Sequence, residues 1–452
     1  MIAFAVALYT STADVRSLAA HASTVWAATG GGVEEIDARS RRGVHLYTTL
    51  DGLDCNDVRE VRFDGALRAR TAGAECRLLA GRFSCVPAPI LDPPPPRPAR
   101  IHHGHRQTAR VEAAGVSFVA TAGGGVWAGD QKLPPLGTLC GNHVEALAEF
   151  RGRIWVGTFD AGLCVREGGA FRRIRTPFRM VNDLLPTRRG LYVASAEGLW
   201  LTRDGRRFRL ERRVRERGAN RLATNGTWLF ATTPVALYAL RLEGRDVVRR
   251  FPRPLGTTAI QSVAVAGRDV WLATEDRGAI RLRHDRFLGF DLARGLSSSW
   301  AVDVQPAPDG GAFVLTLRHG MNHVSAKGAI SQLKDLDPWG LRLVRDGQGL
   351  LVGTQGGAFR IEAGSVTPLS GLPDPRAHSF LRAQGALFVG TEGGLVQLED
   401  EAAGSKPPPA PAAAGRGRRR APRPSARPGP RRDRPGPPGG SPPDRARTAA
   451  GG

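Results

Sequence analysis

Apolar residues in this chain fall into short runs. Each is closed by a small residue and a Thr or Ser, and each is followed by a Gly turn and a second apolar run. The stretch RIWVGTFDAGLCVRE (153–167) shows the form. Ile154-Trp155-Val156 has no polar alternation, which suits a strand buried on both faces. The Gly and polar residues after it fit a hairpin turn, and Gly162-Leu163-Cys164-Val165 restarts a strand. The same form appears as VWAATGGGVEEI (25–36), LRARTAGAECRL (67–78), SFVATAGGGVWA (117–128), LYVASAEGLWLT (191–202) and LFATTPVALYAL (229–240). It continues as VWLATEDRGAIRL (270–282), AFVLTLRHGMNHV (312–324), LLVGTQGGAFRI (350–361) and LFVGTEGGLVQL (387–398).

The aligned positions are Thr29, Thr71, Thr121, Thr158, Ser195, Thr232, Thr274, Thr316, Thr354 and Thr391, spaced 37 to 42 residues apart except for one interval of 50. A period near 40 marks a repeat architecture. A further strand precedes each signature, as in HVEALAEF (143–150), and a short one often follows, as in AFRRI (170–174). Four short antiparallel strands per repeat make a β-propeller blade. The expected fold is therefore all-β: a propeller of eight to ten four-stranded blades over residues 1–399, as one ring or as two smaller rings. Gly157 would let neighbouring backbones approach closely, and Thr158 suits a strand end.

The repeats resemble the two-component regulator propeller family. Its pattern runs Gly-Leu, an Asn-containing turn, Val, a strand, Asp-x-x-Gly, then Leu-Trp-Ile-Gly-Thr-x-x-Gly-Gly-Leu. DGLDCNDVREVRFDG (51–65) is similar to the first half, while GRIWVGTFDAGL (152–163) and ALFVGTEGGL (386–395) are similar to the second. The similarity spans residues from about 10 to 399. It implies the ligand-sensing part of a bacterial sensor. No kinase or helix-turn-helix pattern accompanies it here, and no apolar run is long enough to span a membrane as a helix.

Composition changes the picture at one end. Residues 400–452 are rich in Pro, Arg, Gly and Ala, with almost nothing to bury, and read as a disordered tail. From 401 on, eleven Arg and one Lys face three acids, a net of +9 out of +22 for the chain. Such a tail can touch an anionic polymer or remain a solvated extension. It carries no aromatic residue to stack on bases, which argues against nucleic acid as the partner. At the other end, MIAFAVALYT lacks the charged start of a secretory signal. As a strand it would complete the last blade, whose outer strand is otherwise missing, and so remove two exposed edges. The expected location is periplasmic or extracellular if a leader lies upstream, and otherwise cytoplasmic.

Five cysteines stand at 55, 76, 85, 140 and 164. None of the spacings is that of a zinc cluster. With Ala80-Gly81 as a two-residue turn, Cys76 faces Cys85 at the closest type of cross-strand pair. Cys140 and Cys164 belong to one blade. The two disulfides, Cys76–Cys85 and Cys140–Cys164, would suit an exported protein, and five buried thiols a reducing one. The HHGH stretch (102–105) reads as an exposed loop.

No catalytic constellation, metal set or cofactor motif stands out, so neither metal nor cofactor is expected. Polar residues do recur where inner strands begin: Asn56, Asp57, Asn142, His143, Asn182, Asp183, Asn220, Arg221, Trp300 and His378. A propeller gathers such positions around one mouth, where they could hold a polar small ligand or a protein partner. The same residues also make turns. The sequence thus points to a noncatalytic, sensor-like binding propeller. An enzyme on the same scaffold, a lyase or hydrolase, and polyanion association through the tail are the alternatives. Oligomeric state is left open.

Overall fold

The computed structural model describes residues 5–89, 100–244, 247–333, 336–347 and 349–399. The Arg-rich segment lies outside them. The chain forms ten antiparallel sheets of four strands, one of them with a fifth. The ten sheets match the ten sequence signals.

Seven of the ten close a ring. Its blades span 144–174, 181–210, 222–252, 260–290, 301–333, 340–368 and 377–399, here ring blades 1 to 7. Each inner strand packs on the next, and that of blade 7 packs back on that of blade 1. A buried apolar cluster fills each of the seven interfaces. The other three blades form a separate arc. The blade spanning 15–47 lies between those spanning 60–87 and 101–132, with one buried cluster on each side. A single ring of eight to ten blades is therefore replaced by seven plus three.

The N-terminal strand Ala5–Tyr9 is the outer strand of ring blade 7, pairing Ala5 with Leu398 and Tyr9 with Leu395. The chain then leaves the ring, builds the arc and returns to begin blade 1. Exit and return are clasped together. Leu139 donates its N–H to the Thr10 carbonyl at 2.9 Å. Asn142 accepts from the Ser11 N–H at 2.6 Å and donates to its carbonyl at 2.9 Å.

Two local rules explain the signature. All ten aligned Thr/Ser residues are fully buried. Nine donate their hydroxyl across the following turn, as Thr158 does to Gly162 O at 3.0 Å and Thr391 to Gly394 O at 3.0 Å. Thr232 differs and bonds the Arg221 carbonyl, leaving the turn to Thr233. The hydroxyl adds a second donor to a buried carbonyl that also takes the backbone N–H of the same residue, as Gly278 O does from Thr274 at 2.9 Å. The residue before the Thr sets blade spacing. A Cβ on Gly157 would lie 2.3 Å from a Val181 methyl of the next blade, and one on Gly390 2.4 Å from a Val144 methyl. Between blades 5 and 6 the sizes are reversed: Leu315 fills the space over Gly340.

HHGH is a tight hairpin rather than an open loop. His103 and Gly104 both take positive φ, between the strands Ile101–His102 and His105–Ala113. The His103 ring stacks on Trp127 at 4.2 Å. Cys76 lies directly opposite Cys85, across a turn in which Ala80 and Gly81 have positive φ, and the two are disulfide-bonded with Cα atoms 3.9 Å apart. Cys140 and Cys164 are also paired, with Cα atoms 6.2 Å apart, and Cys55 is free.

Candidate functional site

Six of the seven inner strands of the ring share an irregularity in register at their second residue. It falls at Glu145, Asn182, Gln261, Val302, Leu341 and His378. The remaining strand, Leu222–Thr224, begins one residue after Arg221, which takes the equivalent place. A bulge turns the extra side chain out of the sheet plane. Here these side chains are half-buried. Alternation alone would not have placed them, so the bulge is the feature that sequence reasoning missed.

Deeper in the ring, two aspartates join neighbouring blades. Asp183 accepts from Leu184 N–H at 3.0 Å and from Leu222 N–H of the next blade at 2.9 Å. Asp303 accepts from Val304 N–H at 2.9 Å and from Leu343 N–H of the next blade at 2.8 Å, and also from the Ser262 hydroxyl. Arg342 lies between the two carboxylates at 3.7 Å from each, beyond hydrogen-bond range. Its Nε is buried and makes no hydrogen bond among the described residues. Burial works against its charge, but Asp303, Asp183 and Glu145 outweigh that and hold the guanidinium above its ordinary value. Arg221 is shifted the other way, by burial first and then by Arg342. Its guanidinium donates to the Asn182 carbonyl. Asp183, Arg221, Ser262, Gln305 and Arg342 line a polar cavity of about 190 Å³.

A second polar group joins blades 7 and 1. His143 Nε2 lies 2.9 Å from Glu145 Oε1, and His378 Nδ1 lies 3.5 Å from the same oxygen. On its other side His378 Nε2 meets Glu392 Oε1 at 3.1 Å. Arg376 holds Glu392 at 2.6 Å and is itself gripped by Asp374 through two hydrogen bonds of 2.9 and 2.8 Å. Burial pushes Glu145 up, but His143, His378 and Arg221 more than offset it, and the carboxyl is held at about 2. Glu392 is likewise held below its ordinary value, burial being outweighed by His378 and Arg376. The atoms His143 Nε2, Glu145 Oε1 and His378 Nδ1 are placed to hold a metal ion.

The residues singled out from sequence divide into three groups. His143, Asn182, Asp183, Asn220, Arg221, Trp300 and His378 all belong to the seven-bladed ring. Several of these are engaged between blades: Asn182 donates to Ala219 O at 2.8 Å, and Asn220 to Ile260 O at 3.0 Å. Trp300 is 42% exposed. Asn142 clasps the exit segment. Asn56 and Asp57 belong to the arc. Asn56 is fully buried, accepts from Thr49 N–H at 2.8 Å and donates to Gly393 O of ring blade 7, while Asp57 pairs with Arg16 at 2.6 Å. Glu145, Arg342, Asp303 and Glu392 were not anticipated. Arg342 and Asp303 stand inside inner strands, past the loop positions that sequence reasoning favoured.

No family model matches the sequence, and no curated protein matches it. Solved structures do match in fold. The extracellular domain of the putative hybrid two component system BT3049 from B. thetaiotaomicron superposes with a TM-score of 0.50 at 14% identity, over 84% of this chain and 61% of that one. PorZ, a bacterial surface component of the type-IX secretion system of Porphyromonas gingivalis, gives 0.50 at 12% identity, over 84% and 62%. The chain thus spans less than two thirds of either structure. At such identities the likeness is one of fold: this chain shares its propeller architecture with both. Among the described residues no helix is long and apolar enough to cross a membrane.

Proposed function

We propose that this chain is a noncatalytic, sensor-like propeller of the two-component regulator type, working outside the cytoplasm and binding a small polar ligand inside its seven-bladed ring. The observation that carries this is Arg342. Two aspartates satisfied by backbone N–H groups stand at ion-pair distance from it without hydrogen-bonding it, and Arg342 borders a cavity. Leaving its buried Nε donor unpaired is costly, and an acceptor atom of a ligand removes the cost. Arg221, Ser262 and Gln305 offer further polar contacts on the same wall, so a carboxylate-bearing ligand of sugar-acid size is the preferred class. The fold shared with the extracellular domain of a two component system protein supports the sensing role. Asn182, Asp183, Asn220 and Arg221 serve this site by fixing the blades around it, and His143, Trp300 and His378 shape the approach.

The test is a thermal-shift and calorimetric screen of sugar acids and small dicarboxylates against the whole chain and its Arg342→Met variant. Methionine keeps most of the volume and removes the donors. A charged hydrogen bond contributes about 1.5–3 kcal/mol, so affinity should fall roughly 10- to 100-fold. Equal binding by both proteins would remove the lumen from consideration. A screen in which no carboxylate binds the wild type would refute the ligand class.

A further inference from the structure

We infer that His143, Glu145 and His378 form a divalent metal site at the seam where the ring closes. The inference stands on this cluster alone and is independent of the ligand proposed for Arg342. The three ligand atoms all lie within 4.8 Å of one another. The separations from Glu145 Oε1, 2.9 and 3.5 Å, bracket the roughly 3.4 Å expected between ligands at 2.0–2.1 Å from a tetrahedral zinc. His143 Nε2 is buried and lies beside Glu145 without the alignment of a hydrogen bond.

The surroundings favour coordination over a plain ion pair. His378 presents Nδ1 to Glu145 and turns Nε2 to Glu392. A proton on Nε2, donated to Glu392, leaves Nδ1 free as a neutral ligand. Metal-bound histidines are commonly oriented by a carboxylate in this way. Glu392 is fixed in turn by Arg376, and Arg376 by the buried Asp374. This chain of contacts sets both the tautomer and the ring angle of His378. The Phe159 ring stacks on His143 at 5.1 Å and limits its rotation. Two imidazoles and one carboxylate suit Zn²⁺, and a three-ligand set leaves a position for water or for an acceptor atom of a bound molecule. The ligands come from both sides of the seam, blade 1 giving His143 and Glu145 and blade 7 giving His378. Metal would tie the first and last blades together.

The experiment uses untagged, full-length protein stripped with chelator and titrated with ZnCl₂ by calorimetry. One equivalent should bind. The variants His143→Ala and His378→Ala should lose it, and Glu392→Gln should weaken it 10- to 100-fold. A triple alanine variant at His102, His103 and His105 should bind as wild type does. X-ray absorption of the zinc-loaded wild type provides a readout free of folding effects: two imidazoles and oxygen support the site. Absence of binding, loss confined to the triple variant, or an absorption spectrum without imidazole would overturn the inference.

Discussion

The spacing of the blades can be tested at a single glycine. In Gly157→Ala the new Cβ would stand 2.3 Å from Val181 Cγ1 and 2.9 Å from Val181 Cβ. Carbon atoms rest at about 3.5–4.0 Å, so one side must retreat by more than 1 Å. Val181 is fully buried among Phe178, Leu184 and Leu191 and begins an inner strand, so giving way means moving ring blade 2. Overpacking of this kind costs about 1–3 kcal/mol. Val181→Ala, which removes two buried methyl groups, should cost about 2–3 kcal/mol by transfer plus cavity. In the double variant the added methyl occupies the space just vacated. The combined loss should then fall short of the sum by about 1–3 kcal/mol. Urea unfolding followed by Trp155 and Trp200, which flank this interface, measures all three variants. Additivity within about 0.5 kcal/mol would show that the glycine is not there for packing.

Three further outcomes are expected. Thr391→Val keeps the shape but leaves the Gly393 N–H without its acceptor and takes the hydroxyl from Gly394 O, and should cost about 1–3 kcal/mol in the same unfolding assay, whereas a neutral result would deny the turn its hydroxyl. Burial lifts Glu34 to about 7 against the pull of Leu136 N–H and Thr12. The folded protein therefore holds this proton more tightly than the unfolded chain does. Stability from this group is full below about pH 4.5 and is lost as pH rises through 7; Glu34→Gln should flatten that slope and gain about 2–3 kcal/mol at pH 8, and unchanged slopes would contradict the assignment. Protein made in an oxidising compartment should yield one alkylatable thiol after denaturation without reductant, Cys55, and little reaction when native because burial pushes that thiol up to about 11. Five free thiols would reject both pairs.

Blade number was legible because each blade ends its second strand in a buried hydroxyl and a turn, which repeats as Thr or Ser followed three or four residues later, in most copies, by Gly. Ring closure by the first strand was legible because the last signature lacked an outer strand. The division into seven and three was not. Whether one blade packs on the next depends on matched volumes such as Gly157 with Val181 and Leu315 with Gly340, which lie too far apart in sequence to read as pairs. The site was legible in part: Asp183 and Arg221, both singled out from the sequence, line the cavity. His143, Arg221 and His378 stand near strand starts, where turn chemistry draws attention. Arg342 and Asp303 lie within strands, and only the curvature of the ring brings Arg342 to the cavity, with Asp303 beside it.

The pairing of Ala5–Tyr9 with Gly394–Glu399 also bears on how the protein is made. This strand is made before the rest of the propeller and used after it, since its partner emerges almost four hundred residues later. At 5–20 residues per second, that interval is roughly 20–80 s. Throughout it the strand has no ladder to join, while the arc and ring blades 1 to 6 can each form from contiguous sequence. The newborn chain thus carries a short apolar strand without a partner and, downstream of it, a ring with its seam open. Both are edges of the kind that recruit foreign strands. Escape from aggregation during synthesis rests on the speed of one long-range docking step, and holding that strand back until release is a task suited to a chaperone.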